Sequence, residues 1–223
     1  MKRKLITLIL ACTMAFSLAA CGSKEAENTS GEAQTSGNEE TSEPETVTIT
    51  SLNGNGEETQ VEVPYRPGRA ALLDMASLDI IDSLGEGDCV VGSATTSLDY
   101  LQDYVTNENI KNLGTIKEAD LEAVMESEPD VIFIGGRLSA SYDALSEIAP
   151  VVYLSTDSEK CVVESVRSNA ETIAAIFGKE DKVEELMAGF DKRIQTLAEF
   201  AENKTAIIGM CTSGGFNILG NDG

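Results

Sequence analysis

Apolar positions along the chain follow three patterns in turn. Leu5 to Leu18 is an almost unbroken apolar stretch, residues 47–63 alternate with period two, and from residue 70 short apolar blocks alternate with segments of three- and four-residue spacing. Val47-Thr48-Ile49-Thr50 and Gln60-Val61-Glu62-Val63 flank Asn53-Gly54-Asn55-Gly56, which predicts a hairpin at a sheet edge. Ala70-Ala71-Leu72-Leu73 predicts a strand, Ala76 to Leu84 a helix closed by Gly85, and Cys89-Val90-Val91 the next strand. Asp120 is placed to cap a helix from Leu121 to Glu126 that stops before Pro129. Val131-Ile132-Phe133-Ile134 has the all-apolar character of a buried strand and ends at Gly135-Gly136. A helix over Ser141 to Ile148 and a strand at Val151-Val152-Tyr153-Leu154 follow. Strands separated by helices of this length imply a mainly parallel sheet covered on both faces, an α/β lobe spanning 46–178.

Two longer helical patterns come next. One runs from about Cys161 to Phe177 and is stopped by Gly178. The other, from about Glu180 to Glu202, places Val183, Leu186, Met187, Phe190, Ile194, Leu197 and Phe200 on one stripe. Its roughly 22 residues span about 33 Å, enough to join two lobes as an interlobe helix over 179–203. A strand at Thr205 to Cys211 and a glycine-rich segment, Gly214 to Gly220, then begin a second α/β unit. One strand and part of a hairpin cannot form a core, so 204–223 is expected to be the start of a truncated C-terminal lobe. The alternative is that the last strand joins the first sheet.

The N-terminal apolar stretch changes the picture. Met1-Lys2-Arg3-Lys4 places three positive charges before it, and it is shorter than the ~20 residues that span a bilayer, so residues 1–20 read as an export signal. Leu18-Ala19-Ala20-Cys21 resembles the bacterial lipobox, which implies that Cys21 is acylated and becomes the new N-terminus. Residues 21–60 carry nine Glu and one Lys among many Ser, Thr, Gly and Asn. The polar stretch 21–45 is therefore expected to be a disordered acidic tether between the lipid and the folded body.

Charge and composition then narrow the chemistry. Sixteen Lys and Arg against 38 Asp and Glu give −22, and removing residues 1–20 deletes three bases and no acid. A nucleic-acid partner is excluded, because phosphate binding needs clustered bases. The chain has no His, which removes Ser-His-Asp and Cys-His catalysis and imidazole metal sites from these residues. Carboxylates are abundant, but no pair is marked by spacing as an acid–base couple. Cys89, Cys161 and Cys211 are an odd set without a CxxC pair. Cys89 and Cys211 fall within strand-like runs and are expected to be buried small hydrophobes.

Several stretches together are similar to one family. Val63-Pro64 through Pro67-Gly68-Arg69, Leu73-Asp74-Met75-Ala76-Ser77-Leu78-Asp79, Asn112-Leu113-Gly114-Thr115, Asp120 to Val124, Glu128 to Ile132 with Gly136-Arg137, and Tyr142 to Pro150 resemble, in order, siderophore-binding lipoproteins of bacterial ABC importers. The resemblance covers residues 47–223. It implies the class III substrate-binding fold, two α/β lobes joined by one long helix with the ligand in the cleft between them. It also implies a lipid-anchored monomer on the outer face of the cell membrane. Such a protein has no enzymatic activity or cofactor of its own: it captures a ferric siderophore, of catecholate type in the subgroup resembled, and delivers it to a permease and its ATPase. No GxxxxGK[ST] motif occurs, so energy must come from that partner.

A ferric tris-catecholate carries about three negative charges, which calls for fixed cations in the cleft, and arginine suits this because it stays charged and offers planar donors. Arg137 follows a strand and a glycine pair, at the carboxyl end where open α/β sheets bind ligands, and it matches a cleft arginine of the subgroup. The alternative is a surface arginine paired with an acid such as Asp143. Met75, Thr95 and Thr96 lie on two further strand-end loops; local packing or capping accounts for each equally well. Glu122 matches an exposed acid that docks on the permease. A haem or cobalamin binder of the same fold, an exported hydrolase and a sensory or adhesive lipoprotein remain the competing readings.

Overall fold

The computed structural model describes residues 43–157 and 159–218; the export signal, Cys21 and most of the acidic tether lie outside them. The chain runs through β1 (Thr46–Leu52), β2 (Glu58–Pro64), β3 (Ala70–Leu72), α1 (Met75–Leu84), β4 (Val90–Ser93), α2 (Asp103–Thr106), β5 (Lys111–Asn112), β6 (Gly114–Thr115) and β7 (Glu118–Ala119). It continues through α3 (Leu121–Glu126), β8 (Val131–Ile134), α4 (Tyr142–Ser146), β9 (Val151–Tyr153), α5 (Val162–Phe177), α6 (Glu180–Ala201), β10 (Gly209–Thr212) and β11 (Gly215–Ile218).

Five strands form one parallel sheet in the order β5-β4-β3-β8-β9. Every residue of β3 and β8 is buried, as expected for central strands covered on both faces. Because side chains alternate across a strand, the apolar runs divide between two cores. Ala70, Leu72, Val131 and Phe133 face α1, α5 and the start of α6, meeting Leu78, Ile81, Ile173, Phe177, Val183 and Met187. Ala71, Leu73, Ile132 and Ile134 face the opposite way, onto Val124, Leu138 and Leu145. The result is a three-layer α/β lobe.

Helix boundaries follow their local chemistry. Asp74 accepts from the Ser77 N–H at 2.9 Å and opens α1, while Gly85 closes it at φ +81°. Gly178 ends α5 at φ +62°, and Asp120 caps α3 through the Ala123 N–H at 3.0 Å. In α6 only Val183 and Met187 are buried; the stripe continues through Phe190, Ile194, Leu197 and Phe200, all exposed.

The structure departs from the sequence reading in four places. The β1–β2 hairpin is a separate two-stranded sheet rather than an added edge strand. Its loop is built as read: Asn53 Oδ1 accepts from the backbone N–H groups of Asn55 and Glu57, and Gly56 takes φ +79°. The hairpin meets β9 through a side chain, because Ser51 Oγ accepts the Tyr153 N–H at 2.8 Å. The helix expected over 141–148 is shorter at both ends: it begins at Tyr142, after a tight turn from Gly136 to Ser141, and stops at Ser146. The strand expected from Thr205 begins only at Gly209, and β10 pairs with β11 alone, so it does not join the five-stranded sheet. Finally, Cys89 lies half-buried in a turn before β4, and Cys161 and Cys211 are exposed. The apolar runs around Cys89 and Cys211 had suggested burial, but an apolar neighbour along a strand says nothing of the face a cysteine takes.

Candidate functional site

The strand order defines a position before any side chain is considered. Connections from β3 run outward to β4 and β5, whereas those from β8 run outward in the opposite direction to β9. Helix α1, leaving β3, packs on one face; the turn and α4, leaving β8, bury Leu138 and Leu145 on the other. The two connections therefore part at the carboxyl ends of β3 and β8, where open α/β sheets leave a crevice for ligands. Residues 73–75 and 135–137 border it, tied by the Leu73 N–H donating to Phe133 O at 2.8 Å.

The loops predicted to bind converge on this edge. Arg137 is exposed in the turn after Gly135-Gly136, and among the described residues it has no ion pair, with Asp143 or any other acid. Met75 opens α1 beside the point where the two connections part, half-buried and packed against both cores. Thr95 and Thr96 follow β4 on the neighbouring strand. Their hydroxyls already serve the loop: Thr95 Oγ1 donates to Gly114 O at 3.1 Å, and Thr96 Oγ1 accepts the Leu98 N–H at 3.2 Å. Glu122 stands exposed in the first turn of α3, which starts from the same edge beyond β5.

Two features of this edge escaped sequence reasoning. The β6–β7 hairpin packs Ile116 and Ala119 into the cluster that holds Leu138, which brings an exposed cation, Lys117, to the same end of the sheet. Two-residue strands carry too little pattern to be read, so only a Gly-Thr and a Glu-Ala step marked it. Tyr153 ends β9 with its hydroxyl close to Gly136. The sequence showed it only as the third residue of a buried strand.

Among the described residues one cavity opens beside this edge and another at the opposite end of the sheet, where β4 and β5 begin; neither is lined by Arg137 or Met75. One, of about 410 Å³, sits between the β1–β2 hairpin, the loop after β9 and α5, and is lined largely by hydroxyls. At its rim the Glu159 N–H, and then the Lys160 side chain, hold the Asp157 carboxyl below its usual range. The other, of about 460 Å³, is lined by Asp82, Asp88, Asp103 and Tyr104 and is a poor host for an anion. Burial, and then the hydrogen bond to Asp82, raise the Tyr104 phenol, while burial and Glu86 push the neighbouring Cys89 thiol up to about 12. Among the described residues no group of His, Cys, Asp or Glu is arranged to hold a metal ion, and no helix is long and apolar enough to cross a membrane.

Comparison with known proteins agrees with the fold. Residues 71–217 match the family model described as periplasmic binding protein. The petrobactin-binding protein YclQ of Bacillus subtilis is 34% identical over 98% of this chain and 65% of its own length. Its crystal structure superposes with a TM-score of 0.70 at 35% identity, over 79% of this chain and 62% of that one. PiuA, an iron-uptake ABC transporter substrate-binding protein from Streptococcus pneumoniae, gives 0.70 at 31% identity, over 81% and 63%. The periplasmic catecholate-siderophore binding protein VctP from Vibrio cholerae gives 0.68 at 26% identity, over 79% and 62%. The chain thus spans less than two thirds of the length of these relatives. The parallel sheet and the long helices are those of the class III fold, and the chain belongs to the periplasmic binding protein family.

Proposed function

We propose that this protein is the extracytoplasmic solute-binding lipoprotein of an ABC importer, capturing a ferric siderophore of catecholate type and passing it to the permease. The observation that carries this reading is the exposed Arg137, free of ion pairs among the described residues, at the point where the connections from β3 and β8 part. Among the described residues Arg66 and Arg167 are paired with acids, Arg69 donates to backbone carbonyls, and Arg193 on α6 is unpaired like Arg137; what sets Arg137 apart is its place at the carboxyl edge of the sheet. An arginine left without a carboxylate at a ligand-binding edge suits an anionic ligand, and one charge-assisted hydrogen bond from it contributes about 1.5–3 kcal/mol. Relatives named for petrobactin and for catecholate siderophores support the ligand class.

In this reading Met75 supplies an adaptable apolar contact, and the exposed lone pairs of Thr95 and Thr96 face the ligand or its water. Glu122 meets the permease, and Cys21 carries the lipid that holds the protein at the membrane. The protein binds and releases without chemistry, needs no cofactor, and takes energy for transport from the ATPase partner. The long helix α6 serves as the interlobe element.

Calorimetric titration of the full-length protein with ferric tris-catecholate, ferric hydroxamate and haem, beside Arg137→Ala, tests this. Submicromolar binding of the catecholate alone, weakened at least tenfold (about 1.4 kcal/mol) by the substitution, is expected. Tight binding of haem or hydroxamate that is indifferent to Arg137→Ala would overturn both the ligand class and the site.

A further inference from the structure

The turn that carries Arg137 is threaded between two polar side chains from neighbouring elements. A Cβ placed on Gly135 would lie 2.7 Å from Asp74 Oδ1 and 3.3 Å from Asp74 Cγ, well inside contact for the nearer atom. Asp74 cannot easily swing aside, because its other oxygen, Oδ2, accepts from both the Ser77 N–H, at 2.9 Å, and the Ser77 hydroxyl, at 2.8 Å, and so caps α1. On the far side, a Cβ on Gly136 would lie 3.2 Å from the Tyr153 hydroxyl. Beyond the pair, Leu138 is buried in the second core and its N–H donates to Gly135 O at 3.0 Å. Neither glycine needs its conformational freedom here: Gly135 has φ −107°, which any residue adopts. What excludes a side chain is the close approach of Asp74.

We infer that Asp74, Gly135 and Tyr153 form a positioning latch: the α1 cap carboxylate and the β9 terminal hydroxyl close on the glycine pair and set the height at which Arg137 leaves the sheet. Asp74 thereby links the start of α1 to the arginine turn across the crevice, so the two walls are set in register by one contact. The consequence for ligand affinity rests on the reading of Arg137 given above; the latch itself does not.

Gly135→Ala tests the latch, with Asp74→Ser/Gly135→Ala as its counterpart. Serine keeps an N-cap on α1 but removes the oxygen that the new methyl would strike, leaving it facing an atom near the present Cγ. Two measurements are made on each full-length variant: amide exchange at residues 136–138, and titration with ferric tris-catecholate. Gly135→Ala is expected to speed exchange at Leu138 at least tenfold and to weaken the catecholate as much as Arg137→Ala does. Adding Gly135→Ala to Arg137→Ala should weaken it no further; Asp74→Ser alone, which leaves the oxygen's place empty, should speed exchange and weaken binding, and the double variant, in which the alanine methyl takes up that place and packs on residue 74 again, should restore both exchange and affinity. Wild-type exchange in Gly135→Ala would overturn the latch, as would failure of Asp74→Ser to restore it. If exchange follows the pattern but wild-type protein does not bind ferric tris-catecholate, the latch stands and the ligand assignment falls. If Gly135→Ala does not fold, recovery of folding by Asp74→Ser supports the same contact, and its absence overturns it.

Discussion

Ser51→Ala tests how the N-terminal hairpin is held to the sheet. Strand β9 lies at the end of the sheet, so its outer backbone groups have no strand partner, a position that proteins generally protect. Ser51, buried on β1, supplies that protection: its Oγ accepts the Tyr153 N–H at 2.8 Å and has Tyr153 O and Leu52 O within 3.3 Å. Alanine removes the hydroxyl and leaves a buried N–H without an acceptor. A hydrogen bond lost with both partners costs about 0.5–1.5 kcal/mol, but here one partner stays buried and unsatisfied, so a loss of about 1–3 kcal/mol is expected. Urea unfolding reads the total, and amide exchange at Tyr153 shows whether the loss is local. A loss below about 0.5 kcal/mol, the usual scatter for innocuous substitutions, with unchanged Tyr153 exchange would refute the argument. It would mean that the apolar contacts of Ile49 and Val63 alone seat the hairpin.

Two further outcomes follow from single positions. Gly114 has φ +95°, and a Cβ there would lie 2.5 Å from Glu118 O, a backbone atom, so Gly114→Ala should lower stability by more than about 1 kcal/mol; because Gly114 O accepts both donors of Thr95, the β4 loop should also exchange faster. Asp79 is exposed on α1, yet partial desolvation, and secondarily Asp82, raise its carboxyl above its ordinary value, so that its charged form is slightly disfavoured by folding. Asp79→Asn should therefore raise the urea midpoint at pH 7, and the gain should vanish as the pH falls below the ordinary carboxylate value, where wild type too is protonated; a gain independent of pH would exclude the charge as its cause.

The elements that the sequence revealed are those whose signal is local. Asp120 with Pro129, Gly85 and Gly178 punctuate helices by hydrogen bonding or by positive φ, and the structure ends or begins those helices at the positions read. Val131 to Ile134 was legible as a central strand because burial on both faces forces an unbroken apolar run. The hairpin's independence was not legible, since alternation is the same whether a strand joins a sheet or docks through one serine. The tight turn at Gly136–Ser141 was not legible because Leu138 alone is buried in it, and one apolar residue sets no period. At the candidate site, strand-end position singled out Arg137 and Met75, whereas Tyr153 and Lys117 reach that edge through tertiary packing that no local pattern encodes. The Asp74–Gly135 contact joins residues 61 positions apart, beyond anything that spacing along the chain can show.

The charge balance adds a kinetic test of the proposed function, because the overall field and the local cations act in opposite directions on an anionic ligand. The sequence carries −22, so at low ionic strength, where the Debye length is about 30 Å, nearly every carboxylate repels an approaching ferric tris-catecholate. At 0.15 M the length falls to about 8 Å, distant acids are screened, and only groups close to the bound ligand still count. Encounter responds to the long-range field, whereas residence depends on short-range, partly desolvated contacts such as those of Arg137. Stopped-flow association should therefore accelerate as salt rises from 0.01 to 0.15 M (Debye lengths of about 30 and 8 Å), while dissociation changes little. Arg137→Ala should raise the dissociation rate and leave the salt slope of association nearly as it was. An association rate that falls with salt, and loses that dependence in Arg137→Ala, would mean instead that the arginine steers the ligand from a distance against the acidic surface, and its role as a contact made only after docking would have to be given up.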